Sequence, residues 1–184
     1  GIHAWKGLSL WAMDGTTFRT PDSADNRAHF GAQAYASGKV ASYPQVRAFS
    51  ITAIPTHLVS DIAFGTYAQN EMLYAKTLVG RIADHSLTVF DRGFLCAEIL
   101  LGLTQGGQER HYLIPAKSNT KWEVLSGSAD DCLVRMRVSP QARAKAPELP
   151  EHWTARAVRM VSANGKQRVL LTSLLDRRRF KAEA

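Results

Sequence analysis

Two short apolar stretches of this chain each run directly into an aspartate, and this shared pattern is the strongest constraint on the fold. Residues 8–16 read LSLWAMDGT and residues 86–94 read SLTVFDRGF. Short runs rich in Val, Leu and Phe are typical of buried strands. An ionised carboxylate without a partner would cost several kcal/mol to bury in such a core. Asp14 and Asp91 therefore need partners, and the candidates are an arginine, a helix N-terminus or a metal ion.

The segments around these two stretches predict an α/β fold with a mixed sheet. The predicted elements are strands at 46–54 and 57–64 forming a hairpin, helices at 71–83 (with Asn70 as N-cap) and 94–103, a strand at 111–115, and a polar loop at 20–43. Pro115 predicts that its strand lies at a sheet edge, and the two apolar faces of the first strand predict burial on both sides. In this order the Asp14 and Asp91 strands become parallel neighbours. Their carboxyl ends then lie side by side, where sites form in open α/β sheets.

The character of the sequence changes after Lys117. Residues 132–138 alternate between polar and apolar side chains, as in a half-exposed strand, and the proline-containing stretch 140–151 predicts a linker-like loop. Asn164-Gly165 between two apolar runs predicts a tight hairpin. The predicted divisions are a ribonuclease-H-like core at 1–120, a β-rich insertion at 121–175 and the start of a final helix at 176–184.

Positive charge is concentrated in the last third of the chain. The net charge is +7, but residues 1–134 carry 11 Lys and Arg against 12 Asp and Glu, and residues 135–184 carry 12 against 4. This asymmetry favours a polyanionic partner, nucleic acid ahead of a membrane, with a solubilising surface as the alternative. No apolar run approaches the ~20 residues of a membrane span. Cys96 and Cys132 lack metal-site spacing, so free thiols in a reducing, intracellular setting are expected.

The sequence lacks several common catalytic patterns: there is no GxSxG nucleophile turn, no P-loop and no HExxH pair. What remains is the aspartate pair. Two neighbouring carboxylates repel unless a cation lies between them, and hard oxygen ligands suit Mg²⁺ or Mn²⁺. Two such ions about 4 Å apart support in-line attack on a phosphodiester. The structural alternatives are a plain turn at Asp14-Gly15 and a helix cap by Asp91, while Asp22, Asp25 and Asn26 are expected to serve loop structure.

Five segments stand out when they are taken in order. They are Met13-Asp14-Gly15-Thr16, Arg19 with Pro21-Asp22 and Asn26, Phe90-Asp91-Arg92-Gly93-Phe94, YLIPAK at 112–117 and LLTSLLD at 170–176. Nearly end to end, the chain resembles the DDE transposases of bacterial insertion sequences, in the insertion sequence 4 family. The resemblance implies a ribonuclease-H-like sheet with a β-rich insertion before the last catalytic helix. It also implies that Asp14 and Asp91 are the first two catalytic acids and hold Mg²⁺ or Mn²⁺.

The third acid of that family has no counterpart in this sequence. The family places a Glu within a Tyr, Arg, Glu, Lys series after the insertion, and no Tyr and Arg precede Glu183 at the right spacing. The chain is therefore expected to be a catalytic-core fragment that is inactive when alone.

The resemblance also implies partners and a setting. The partner is DNA, both transposon ends and target, with self-association of the full-length protein on that DNA in the bacterial cytoplasm. The predicted phosphate contacts are Lys117, Lys121, Arg135 and Arg137. The expected function is metal-dependent cleavage and strand transfer in DNA transposition. A ribonuclease-H-like nuclease and a non-catalytic DNA-binding remnant are the alternatives.

Overall fold

A computed structural model describes residues 4–34, 38–69, 71–161 and 165–182, with Glu71 described by its backbone alone. Within those ranges the chain forms nine strands and four α-helices. The strands are β1 (Ser9–Arg19), β2 (Gln45–Ala53), β3 (Val59–Thr66), β4 (Ser86–Phe90), β5 (Arg110–Pro115), β6 (Glu123–Gly127), β7 (Asp131–Arg137), β8 (His152–Val161) and β9 (Gln167–Thr172). The helices are α1 (Ala24–Phe30), α2 (Glu71–Val79), α3 (Ala97–Gln105) and α4 (Pro140–Lys145). The predicted cap Asn70, the turn residue Asn164 and Glu183 lie outside the described residues.

The strands of the described ranges belong to one mixed sheet. Their order is β3-β2-β1-β4-β5-β9-β8-β7-β6. β4 pairs in parallel with both β1 and β5, while β2 and β3 form the predicted antiparallel hairpin beside β1. Parallel neighbours need a crossover connection. The connection from β1 to β4 contains α2, and the connection from β4 to β5 contains α3. The mixed α/β fold predicted from the sequence is confirmed.

One face of the sheet carries most of the core. Phe49 of β2, Phe90 of β4 and Tyr112 of β5 are buried there together with the apolar residues of α2 and α3. The opposite face carries a smaller cluster, and its apolar groove of about 330 Å³ is lined in part by Leu10 and Val89. Full cover on both sides of the first strand, as the apolar pattern predicted, is therefore found for one face of the described structure and in part for the other.

Two strands differ from their predicted positions. β1 does not end at Asp14 but continues to Arg19, because its antiparallel partner β2 supplies hydrogen bonds as far as Arg19↔Gln45. The prediction that Pro115 marks a sheet edge was wrong, since β5 lies between β4 and β9. Pro115 is the last residue of its strand, opposite Leu170, where its missing N–H interrupts the ladder least.

Helices also begin where local caps place them. The predicted helix at 94–103 is divided into a 3₁₀ turn at Arg92–Phe94 and α3 from Ala97. The predicted loops at 20–43 and 140–151 each contain a short helix, α1 and α4, whose N-cap serines accept a backbone N–H. A serine before a helix satisfies one of the unpaired N–H groups of its first turn. No helix in the described ranges is both long enough and apolar enough to cross a membrane.

A buried arginine of β8 connects the β-rich part to the chain that follows it. Arg156 of β8 is 2% exposed and donates to both carboxylate oxygens of Asp131, at 2.8 and 2.7 Å. The same guanidinium donates to the carbonyls of Leu174 (3.3 Å) and Phe180 (2.6 Å). The hydrogen bonds from Arg156 to the carboxylate lower the pKa of Asp131 below its usual value. These contacts fix residues 174–180 against β7 and β8. The domain divisions predicted from the sequence stay predictions.

Candidate active site

The register of two parallel strands brings Asp14 and Asp91 to one place in the sheet. β1 and β4 pair from Ser9↔Ser86 to Met13↔Phe90. Asp14 directly follows Met13 and Asp91 directly follows Phe90, so the two aspartates come next after the last pair. Neighbouring strands lie ~4.8 Å apart. Met13 and Phe90 are buried in the helix-covered core, and successive side chains of a strand point to opposite faces. Both aspartates therefore lie on the face away from α2 and α3, and both are exposed.

Each carboxylate makes one local hydrogen bond. Asp14 accepts the N–H of Gly15 through Oδ1 at 2.8 Å, and Asp91 accepts the N–H of Gly93 through Oδ2 at 3.2 Å. The bond of Asp91 caps the 3₁₀ turn, as one structural alternative predicted, whereas Asp14 and Gly15 lie within β1 rather than in a turn. In the described part of the chain neither carboxylate forms an ion pair. The partner that the sequence called for is therefore not an arginine among these residues.

Gly15 fixes the backbone beside Asp14. A Cβ at this position would lie 2.4 Å from a ring carbon of Phe49, much closer than carbon atoms pack. Phe49 is itself held in the core, with its ring stacked on Tyr74 at 5.5 Å between centroids. Only glycine lets the strand pass over this ring without a shift, so the aromatic core sets the position of the carboxylate that follows Met13.

The donor set fits a hard divalent cation in part. Two exposed carboxylates on adjacent strands, with free lone pairs, are the oxygen ligands that Mg²⁺ and Mn²⁺ take. Among the described residues there is no group of three His, Cys, Asp or Glu side chains placed to hold a metal. These residues thus offer two carboxylates side by side, and their role as metal ligands stays a prediction.

The residues predicted to bind phosphate are divided between two settings. Lys117 lines a pocket of about 610 Å³ together with Asp91, and Lys117 and Lys121 both line a second pocket of about 500 Å³. Arg135, in contrast, donates to Glu123 at 2.7 Å. Arg137 lies 3.7 Å from Glu151. Lys117 therefore lines the pocket that contains Asp91, whereas Lys121 lines the second pocket together with Arg137. Both arginines have an acidic partner.

Three further cations line the pocket beside Asp91 and were missed by the sequence reasoning: Arg92, Lys166 and Arg168. Arg92 directly follows the aspartate, and that adjacency was a signal which the motif reading used only for family resemblance. Lys166 and Arg168 reach this edge because β9 pairs antiparallel with β5. The paired residues, from Pro115↔Leu170 to Leu113↔Thr172, lie 55 to 59 positions apart in the sequence, so no local pattern predicts the pairing.

The loop residues considered at the sequence level serve local structure. Asp22 accepts from Arg27 at 2.9 Å, and this hydrogen bond lowers the pKa of Asp22. The side chain of Asn26 donates to the carbonyl of Pro21 at 2.9 Å, and Asp25 lies in the first turn of α1. Their expected role in the loop agrees with these contacts.

A mixed sheet with two aspartates side by side, directly after the last pair of a parallel ladder, is the arrangement that the resemblance to DDE transposases predicts. The chain matches the Transposase DDE domain family over residues 5–184. It belongs to this family.

Two curated relatives come from Escherichia coli (strain K12). The transposase InsG for insertion sequence element IS4 is 38% identical over 177 residues, which cover 96% of this chain and 40% of InsG. InsZ is 34% identical over 121 residues, which cover 66% of this chain and 40% of InsZ. The chain thus spans about two fifths of the length of these relatives. A solved structure, the piggyBac transposase synaptic complex with hairpin DNA, is 10% identical, with a TM-score of 0.48 over 91% of this chain and 34% of that one.

Proposed function

We propose that this chain is the catalytic-core part of a DNA transposase that cuts the ends of a mobile element and joins them to a target. Family membership over nearly the whole chain supports DNA transposition. The observation that carries the proposal is the β1–β4 register, which makes Asp14 and Asp91 neighbours with unpaired, exposed carboxylates.

In this proposal Asp14 and Asp91 hold Mg²⁺ or Mn²⁺. When bound, such an ion stabilises negative charge on the phosphodiester oxygens and favours ionisation of the attacking hydroxyl. The chain's own part is positional. The turn N–H of Gly93 orients the carboxylate of Asp91, and the close contact at Gly15 fixes the strand beside Asp14. Lys117 and Lys121, with smaller contributions from the ion-paired Arg135 and Arg137, bind the DNA backbone.

The test replaces one carboxylate at a time in the complete gene product. Asp14→Asn and Asp91→Asn keep the shape and the local hydrogen bonds but remove the charge. We expect each variant to lose strand transfer by at least about a hundredfold, which is on the order of one lost oxyanion-stabilising contact, while DNA binding is retained. Asp25→Asn, an exposed aspartate of α1, is the matched control and should keep full transfer. Strand transfer by Asp14→Asn or Asp91→Asn at the level of the control would refute the metal-holding role.

A non-catalytic DNA-binding domain is the second candidate. The observation in its favour is the absence of a three-residue metal group among the described residues. It predicts salt-dependent DNA binding that does not change when Mn²⁺ is added. Calorimetric titration of the chain and of Asp14→Ala with Mn²⁺ separates the two candidates, because only a metal site loses its heat of binding in the variant.

A further inference from the structure

The pocket beside Asp91 is built by three separate segments of the chain. They are the turn that starts at Asp91, the stretch from Pro115 to Trp122, and residues 166–169 at the start of β9. β9 runs antiparallel to β5, so its first residues lie where β5 ends, and the N–H of Ala116 donates to the carbonyl of Val169 at 2.9 Å. The pocket of about 610 Å³ therefore lies at the same end of the sheet as the two aspartates.

The lining of this pocket is strongly cationic. Four of its described residues are basic, Arg92, Lys117, Lys166 and Arg168, and Asp91 is the one acidic residue among the described residues that line it. All four basic side chains are exposed. Cations gathered in a concave surface attract an anion more strongly than the same cations spread over a flat one, since field lines are focused there.

Three of these four cations have no acidic partner among the residues that the structure describes. Within the described ranges Arg92, Lys117 and Arg168 form no ion pair. This sets them apart from the arginines of the β-rich part, because Arg156 is bonded to Asp131 and Arg159 lies 3.3 Å from Asp130. A cation without an internal partner keeps its charge for a ligand.

Arg168 lies on the same face of the sheet as the two aspartates. Leu171 of β9 is buried in the helix-covered core, so alternation places Arg168 on the opposite face. That is the face on which Asp14 and Asp91 lie. A strand of nucleic acid that passes the two carboxylates can thus continue over Arg168 without crossing an edge of the sheet.

We propose that this pocket, which we call the Arg92–Arg168 pocket, binds phosphates of a DNA strand beside the phosphate of the same strand that reacts at Asp14 and Asp91. The inference rests on the proposed function and adds Arg92, Lys166 and Arg168 to it as positioning residues. Their charge holds the strand, and the aspartates act on its neighbouring phosphate.

The test compares two double variants with equal loss of charge. Arg92→Gln with Arg168→Gln removes two cations of the pocket, and Arg143→Gln with Lys145→Gln removes two exposed cations of α4, which lie outside it. The probe is a fluorescein-labelled 30-base-pair duplex of random sequence, titrated by fluorescence anisotropy in EDTA over a series of KCl concentrations. Thermal unfolding of both variants verifies that each is folded.

For the pocket variant we expect a loss of affinity of about tenfold at 0.1 M KCl. We also expect the slope of log K against log [KCl] to become shallower by about 2, the value for two lost phosphate contacts. The α4 variant should stay within about twofold of the parent. Equal losses in both variants, or none in the pocket variant, would overturn the proposal. A competition with inorganic phosphate distinguishes a strand from a small anion, because millimolar phosphate that displaces the duplex would also overturn it.

The outcome separates this inference from the function on which it rests. DNA binding in EDTA does not involve a metal ion, so the pocket can fail while Asp14→Asn and Asp91→Asn still abolish strand transfer. Conversely, strand transfer that survives in those variants would remove the metal role and leave the pocket's DNA affinity standing.

Discussion

Three aspartates of this protein differ in how far their charge is matched by neighbouring cations. Asp14 and Asp91 lie exposed on neighbouring strands, without an ion pair in the described structure. Asp131 lies at the start of β7, where Arg156 is bonded to both of its oxygens and Arg177 lies 3.5 Å away. The ion pair of Asp131 points to a role in stability, and the proposed function assigns the unmatched charges of Asp14 and Asp91 to a metal ion. The comparison predicts opposite responses to mutation.

The largest effect is expected at the buried pair. Arg156→Ala leaves the carboxylate of Asp131 without its main partner and removes the donors to the carbonyls of Leu174 and Phe180. Breaking a buried pair in this way costs about 3–5 kcal/mol of the free energy of unfolding, measured by urea denaturation. Arg159→Ala, whose partner Asp130 is largely exposed, should cost at most about 1 kcal/mol. Equal losses in the two variants would remove the contrast.

A smaller loss is expected from overpacking beside Asp14. Gly15→Ala places a Cβ against the ring of Phe49, which is 1% exposed and has little room to move. Overpacking of a core costs about 1–3 kcal/mol. Gly102→Ala in α3 is the control, since a Cβ there meets nothing within 4 Å, and it should stabilise by about 0.5–1 kcal/mol. Chemical denaturation measures both changes. A Gly15→Ala variant with an unchanged free energy of unfolding would show that the core does not fix this strand.

The aspartate pair itself should contribute little to stability. Asp14→Asn and Asp91→Asn change exposed groups that keep their local hydrogen bonds, so each should alter the free energy of unfolding by no more than about 0.5 kcal/mol in EDTA. A decrease of more than about 2 kcal/mol in either variant would show a structural role and would contradict the comparison with Asp131.

The smallest effect is a pH dependence at Glu109. Its carboxylate accepts from Arg179 at 2.6 Å and contacts His85 at 2.8 Å, and these hydrogen bonds lower the pKa of Glu109 from 4.5 to about 2. A depressed carboxyl pKa adds stability above pH 4.5 that is lost as the pH falls toward 2. We expect Glu109→Gln to flatten this acid limb in unfolding experiments from pH 6 to 2. An unchanged limb would mean that the exposed pair has no measurable weight.

Local patterns in the sequence correctly predicted that Asp14 and Asp91 follow neighbouring parallel strand segments. The strand patterns around Asp14 and Asp91 depend on short apolar runs, and the parallel pairing followed from the helix between them. The extension of β1 to Arg19 was missed because Gly15 is usual in turns, whereas here it is required by the ring of Phe49.

Long-range pairing was beyond such patterns. Arg168 lines the same pocket as Asp91 because β9 pairs with β5 across the whole β-rich part. Arg156 has the alternation of an exposed strand residue and is nevertheless buried, because residues 174–180 fold back over it. Neither fact has a local sequence signal, so the pocket cations beside Asp91 and the ion pair of Arg156 were both found only in the structure.

The central claim is that Asp14 and Asp91 together bind one divalent cation. Electron paramagnetic resonance of Mn²⁺ measures the bound ion directly, without any DNA. The account predicts that the chain binds Mn²⁺, that Asp14→Asn and Asp91→Asn each lose most of that binding, and that Asp25→Asn loses none. Bound Mn²⁺ at the same level in all four proteins would contradict it.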